Sequence, residues 1–453
     1  MSNFHFIAIG GAIMHQLAIQ LAQQGNNITG SDDVIFDPAT TNLRNAGIYP
    51  KQLGWNVDNI NADLDFVILG MHAKADNPEL IRAKELEIPI LSFPEFIAEL
   101  SKNKKRIVIA GSHGKTTTTS MLMHSLKKAN IDFDYLVGSK VKGFDLSVKI
   151  TSDAPVIVIE GDEYLSSPLD RRSKFLHYKP HIAIITGIAW DHINVFPTFE
   201  SYVLTFREFI HSIENNGHLI YFVHDETLQT LIRENKNINC IPYDLFSHKY
   251  ENGKTLLIEE DKTYEVDFFG KHNISNLASV SEVVKLLDIN RKQWLRSLND
   301  YQIAANRLEK IFENREKQII LFKDFAHAPS KVIATVKAVR EKYPDYRFIA
   351  IFELHTFSSF QPDFLPHYKD SLKKADFDAV YVSSKVMSQK GNDSLNDQFI
   401  QNCFGDNSLP IIHKTEELET FMNSYIQNKT VVLLMSSGNF DGFDFKNYTA
   451  SLP

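Results

Sequence analysis

Gly111, Ser112, His113, Gly114, Lys115, Thr116 and Thr117 form one short stretch in which every residue type suits an anion. Glycines let a backbone approach an oxyanion closely, a lysine adds a point charge, and a threonine hydroxyl can ligate Mg²⁺. The β-branched run at 107–110 reads as a strand. Met121, Leu122, Leu126 and Ala129 mark the inward face of a following helix. Such a helix points its first N–H groups at whatever sits in the turn. The strict spelling of a phosphate loop needs glycine at 109, where the chain has Ile109, so the motif is the shortened G-x-x-G-K-T. Strand, glycine turn, lysine and helix in this order predict binding of a nucleoside triphosphate, with Lys115 on its β- and γ-phosphates.

Two further strand ends carry polar groups. Residues 156–160 read as a strand that runs into Glu160, Asp162 and Glu163, where a Mg²⁺ ligand and a water-orienting carboxylate are expected. Residues 182–186 read as another strand, leading to Asp191 and His192. A lone histidine is seldom a ligand, but one that follows a strand end in the same sheet is a candidate. Nearer the N-terminus, a strand at 4–9 runs into Gly10 and Gly11. A helical pattern (Ile13, Leu17, Leu21) and a second strand ending at Ser31 and Asp32 follow. This is a βαβ opening without the G-x-G-x-x-G spacing, so a dinucleotide is not expected. A nucleoside diphosphate at the helix N-terminus is.

The elements that must position these groups are α/β throughout. With 453 residues the chain exceeds what one core usually serves. Short apolar strands at 66–69, 88–91, 106–110, 156–160, 182–186 and 219–223 suit parallel sheets covered on both faces. Residues 251–268 alternate like a hairpin, and strands at 318–322, 347–352, 378–382 and 430–434 follow. The basic, polar run at 101–106 reads as a linker. Three α/β domains in series are predicted. The formal net charge of -8 argues against a nucleic-acid partner. Cys240 and Cys403 are the only cysteines, too few for a disulfide framework or a four-cysteine zinc site. There is no signal-peptide pattern at the N-terminus and no apolar run near the roughly 18 residues of a membrane span, so a cytoplasmic protein without a membrane partner is expected.

Four segments in register resemble the Mur ligases, ATP-dependent amide-forming enzymes of peptidoglycan synthesis. The 111–117 loop is similar to their G-T-H-G-K-T-T, and Glu160-Gly-Asp-Glu163 to their E-A-D-E. Gly270-Lys-His-Asn-Ile-Ser-Asn276 matches G-x-H-N-x-x-N, and Asp324-Phe-Ala-His327 resembles D-[FY]-[AG]-H. Within the family the segments at 162–180 and 191–197 look most like the murein peptide ligases. That branch joins UDP-N-acetylmuramate to the tripeptide L-Ala-γ-D-Glu-meso-diaminopimelate in peptidoglycan recycling.

The resemblance implies a Rossmann-like UDP-sugar-binding domain at 1–104. A central P-loop ATPase-like domain with a parallel sheet would span 105–302, and a C-terminal Rossmann-like α/β domain for the amino acid or peptide 303–453. It implies ATP and Mg²⁺ as cofactors, and UDP-N-acetylmuramate with the tripeptide or L-alanine as partners. Lys115 would hold the phosphates, and Thr116, Glu160 and His192 the Mg²⁺. Asn273 and Asn276 would contact adenine, Arg307 and Asp324 the phosphates and ribose. His327 would lie near the incoming amine as a base, and Gly10, Gly11, Ser31 and Asp32 would line the UDP pocket. The L-alanine-adding branch, another amide ligase of the folylpolyglutamate type, and a P-loop binding module without ligase chemistry are the alternatives.

Overall fold

The computed structural model describes residues 1–190, 195–235, 238–251, 253–385, 387 and 395–452. They form two compact units. One comprises Met1–Ile188, Phe199–Asp244 and Ser279–Trp294; the other comprises Ala189–Thr198, Leu245–Ala278 and Leu295–Pro453.

The first unit holds two sheets. In the N-terminal one, β1 (Asn3–Ile7), β2 (Asn27–Ser31), β3 (Phe66–Leu69) and β4 (Ile90–Ser92) run parallel in the order β2-β1-β3-β4. Its connecting helices start on sequence-encoded caps. Asn77 accepts hydrogen bonds from the amides of Glu79 and Leu80 at the start of helix Pro78–Glu85. Ser92 and Glu95 form a reciprocal capping box on helix Phe93–Leu100.

The second sheet is built from β5 (Lys105–Ala110), β6 (Phe133–Leu136), β7 (Val148–Lys149), β8 (Val156–Glu160), β9 (Ile182–Ile185), β10 (His218–Phe222) and β11 (Asn239–Tyr243). Their order is β11-β10-β9-β5-β8-β6-β7, and only β7 is antiparallel to its neighbour. Ile107, Val108, Ile109, Ile157, Val158, Ile159 and Ile182–Ile185 are all buried, which is why they read as continuous apolar runs. Ile109 pairs with Glu160 and Ala110 with Ile185, so the central β5 delivers residues 111–114 between two strand ends. β11 carries Pro242, and it lies at the sheet edge, where a missing N–H costs least.

In the second unit the expected hairpin has a third strand: β12 (His248–Glu251), β13 (Lys254–Glu259) and β14 (Lys262–Val266) form an antiparallel meander. Glu260 and Asp261, both at positive φ, make the turn between β13 and β14. A six-stranded sheet follows, of β15 (Glu309–Asn314), β16 (Ile319–Asp324), β17 (Arg347–Leu354), β18 (Phe377–Val382), β19 (Ile411–Ile412) and β20 (Thr430–Met435). The order is β15-β16-β20-β17-β18-β19, with β15 antiparallel and the rest parallel. Along β17, Phe348, Ala350 and Phe352 join one apolar cluster while Ile349 and Ile351 join another on the opposite face. Both cysteines are free thiols. Among the described residues no helix is long and apolar enough to cross a membrane.

Candidate nucleotide site

The glycine turn has the backbone its residues suggest. Gly111 has φ +127° and Gly114 has φ +81°, and Gly114 caps helix Lys115–Lys128. Ser112 N–H donates to Gly187 O at 3.0 Å. The Thr186 hydroxyl donates to the carbonyls of Ala110 and His113. The loop is thus stitched to the end of β9. Ser112 Oγ also lies 2.9 Å from Tyr202 Oη, on helix Phe199–His211.

Lys115 Nζ donates to Gly111 O and to Glu163 Oε2, both at 2.8 Å. Glu163 is fully buried, and its other oxygen accepts from Tyr202 Oη at 3.3 Å. Burial alone would lower the Lys115 pKa, but Glu163, Asp162 and Glu160 outweigh it and hold the ammonium above its ordinary value. Thr116 Oγ1 donates to Glu160 Oε1 at 2.6 Å, and Gly138 N–H donates to Glu160 Oε2 at 2.7 Å. Burial, with the charge of Asp162, raises the pKa of Glu160 despite these bonds and the charge of Lys115. The two strand-end acids therefore meet the two loop residues that a triphosphate and its metal would engage. A hydroxyl and a carboxylate 2.6 Å apart are hard oxygen donors of the kind Mg²⁺ takes, so the set fits that ion. Thr117 is buried behind the loop and His113 is half-buried in it. His192 lies outside the described residues. Thr186, Tyr202 and Gly138 were not singled out from sequence. Thr186 closes a strand predicted at 182–186 in the same sheet, which is a usable signal; Tyr202 offers none.

At the N-terminal sheet, Gly10 N–H donates to Asp32 Oδ2 at 2.8 Å, so Gly10, Gly11 and Asp32 are brought together. Burial raises the Asp32 pKa to about 6 against the Gly10 bond. The Ser31 side chain turns inward to Glu79.

The remaining predicted residues lie in the second unit. Asn273, buried, donates from Nδ2 to Phe269 O at 2.9 Å, and Asn276 is buried one turn on. Asp324 accepts from the amides of Leu308 at 2.8 Å and Ala326 at 2.6 Å. The Arg307 guanidinium stacks 4.8 Å from the Phe325 ring centre. His327 Nδ1 is 2.9 Å from Phe325 O. A carbonyl only accepts, so Nδ1 carries a proton. Burial lifts the Asp324 pKa to about 6, although Arg307 and the two amides oppose it.

This shift makes a stability prediction. The folded value lies above the usual 3.8, so the fold prefers the protonated carboxyl; its contribution is complete below pH 3.8 and is lost as pH rises through 6. Between pH 5 and pH 8 the nucleotide-free protein should lose about 1 kcal/mol through this group. Urea denaturation of wild type and Asp324→Asn should show a stability difference that moves toward the variant by that amount as pH rises. A pH-independent difference would contradict the burial argument.

A phosphate loop at the end of a central parallel strand, with buried acids at and just beyond the end of the neighbouring strand, defines an α/β nucleotide-dependent enzyme. Residues 3–105 match the Mur ligase family catalytic domain, and residues 109–284 match the Mur ligase middle domain. A UDP-N-acetylmuramate–L-alanine ligase of Clostridium kluyveri is 33% identical over 376 residues, 78% of each chain. The chain belongs to the Mur ligase family and is an ATP-dependent amide ligase of the peptidoglycan-building kind. Its fold is that family's three-domain α/β architecture. The UDP-N-acetylmuramate–alanine ligase MurC of Thermotoga maritima superposes with a TM-score of 0.74 at 22% identity, covering all of both chains. A murein peptide ligase of Psychrobacter arcticus superposes with 0.66 at 22%, also covering both.

Proposed function

We propose that the enzyme activates the carboxylate of UDP-N-acetylmuramate with ATP and joins it to an L-alanyl amine. The observation that carries this is the Lys115–Glu163 and Thr116–Glu160 pairing at the nucleotide loop, in a chain whose curated relatives at 27–33% identity are named UDP-N-acetylmuramate–L-alanine ligases. Those names favour free L-alanine as the acceptor, ahead of the tripeptide first expected from the 162–180 segment. The tripeptide reading keeps one specific support. Residues 164–179 fold into an ordered excursion beside the loop acids, closed by the Leu165–Ser173 bridge, the Lys174 N–H to Tyr164 O bond and the Arg172–Asp170 ion pair. A longer acceptor needs such added surface.

In this reading residues 1–104 hold the UDP-sugar, 105–302 the ATP and 303–453 the amine. The loop amides and Lys115 bind the β- and γ-phosphates. Thr116, Glu160 and His192 would hold Mg²⁺, which neutralises charge on the transferring phosphoryl group when bound. A carboxylate oxygen of the muramate attacks the γ-phosphorus, and ADP leaves. The amine then attacks the acyl carbon, and phosphate departs with that oxygen. His327 Nε2 takes the ammonium proton beforehand. Phosphate release should be measured with ATP, Mg²⁺ and UDP-N-acetylmuramate, supplying L-alanine or the tripeptide, with product masses checked. Turnover at least about tenfold faster with L-alanine supports the first reading. The reverse ratio establishes the tripeptide, and phosphate release indifferent to the UDP-sugar overturns both.

A further inference from the structure

A fully buried carboxylate, Glu79, is held at the N-terminal sheet by side chains of β1 and β2 and by the turn at 56–59. Glu79 Oε2 accepts from Ser31 Oγ and sits 3.3 Å from His5 Nε2. Glu79 Oε1 accepts from Asn56 N–H and Asn59 Nδ2, each at 2.9 Å. His5 Nδ1 is in turn 2.8 Å from Thr29 Oγ1. His5 and Glu79 are both 0% exposed, so the charge is entirely withdrawn from water. Removing a carboxylate from water costs several kcal/mol in the absence of such partners, which makes an apolar side chain the cheaper filling for a purely structural position.

The Ser31 end of this network leads to the anion loop. The Ser31 carbonyl accepts two consecutive amides, Ala8 at 2.9 Å and Ile9 at 3.0 Å. Ala8 has φ +65°, a left-handed conformation that costs a non-glycine residue about 1 kcal/mol and must be held by its surroundings. Gly10 and Gly11 follow directly. We propose that Glu79 is the positioning residue of the UDP-binding loop: through Ser31 it fixes the strained Ala8–Ile9 turn from which the Gly10–Gly11 loop starts toward the diphosphate. Burial pushes the Glu79 carboxyl up, but His5, Ser31 and the Asn56 amide pull it below its usual range, so it acts as an anion.

The inference rests on the UDP-sugar reading above, and the test separates the two. UDP and ATP are titrated by calorimetry into wild type, Glu79→Gln and Ser31→Ala, and KM for UDP-N-acetylmuramate and for ATP is measured for each. Both variants should bind UDP about tenfold more weakly and raise the UDP-sugar KM to match, with ATP affinity unchanged. The double variant should be no worse than Glu79→Gln alone, because both act through one link. Wild-type UDP affinity in the folded variants overturns the proposal, as does an equal loss of UDP and ATP binding, which a merely structural role would give. Wild type that binds ATP but not UDP overturns the UDP-sugar reading and this inference with it. If Glu79→Gln does not fold, Glu79→Asp, which keeps the charge but shortens its reach to Ser31, is measured in its place, with the same loss of UDP binding expected.

Discussion

Lys115→Met should lower kcat/KM for ATP by about a thousandfold or more, because phosphoryl transfer depends on charge neutralisation that a thioether cannot give. The same change takes the ammonium away from Glu163, which is 0% exposed and held at 2.8 Å. Breaking a buried pair from one side costs about 3–5 kcal/mol, so the denaturation midpoint should fall as well. The two effects have different origins and are separable. Glu163→Gln added to Lys115→Met removes the stranded charge while leaving Tyr202 and Ser112 their positions. The double variant should regain most of the stability and none of the activity. Recovery of activity in the double variant would mean that Lys115 serves Glu163 rather than the nucleotide.

Gly111→Ala carries the second large effect. At φ +127° an alanine is strained whatever the space. Its Cβ would also lie 2.2 Å from Thr186 Oγ1 and 2.9 Å from Thr186 N. The hydroxyl it strikes is the one that latches Ala110 and His113. Strain and overpacking together should cost about 2–4 kcal/mol, and a displaced latch should weaken ATP binding at least about tenfold. Thr186→Ala in the same chain removes the closest contact but neither the backbone contact nor the strain. It should therefore restore part of the stability and little of the ATP affinity. A Gly111→Ala protein with the wild-type midpoint and ATP affinity would show that the loop is not held as described.

What could be read from the sequence follows from locality. The loop at 111–117 was legible because positive φ and anion contact restrict residue type within seven consecutive positions. β5, β8, β9 and β17 were legible because strands covered on both faces have no polar alternation to confuse. β6 and β11 escaped because Phe133-Asp-Tyr-Leu136 includes a buried aspartate and Asn239-Cys-Ile-Pro-Tyr243 includes a proline. The latch at Thr186, the Tyr202 hydroxyl and the Glu79 anchor escaped for another reason. Each reaches a partner brought near only by the sheet: Thr186 73 residues from His113, Tyr202 90 from Ser112, Glu79 48 from Ser31. No short-range pattern encodes those meetings. The acceptor amine is a specificity carried by the shape of a whole pocket, and motif spelling favoured the tripeptide where relatives favour L-alanine.

The most direct test of ligation through an activated carboxylate is isotopic. UDP-N-acetylmuramate labelled with oxygen-18 in its carboxylate is turned over with ATP, Mg²⁺ and the preferred amine, and the released phosphate is analysed by mass spectrometry. One labelled oxygen per phosphate is the expected result, because the attacking carboxylate oxygen leaves with phosphorus when the amine takes the acyl carbon. Unlabelled phosphate formed in step with the amide product would show that the carboxylate never attacks ATP, and would contradict the mechanism assigned to Lys115 and its loop.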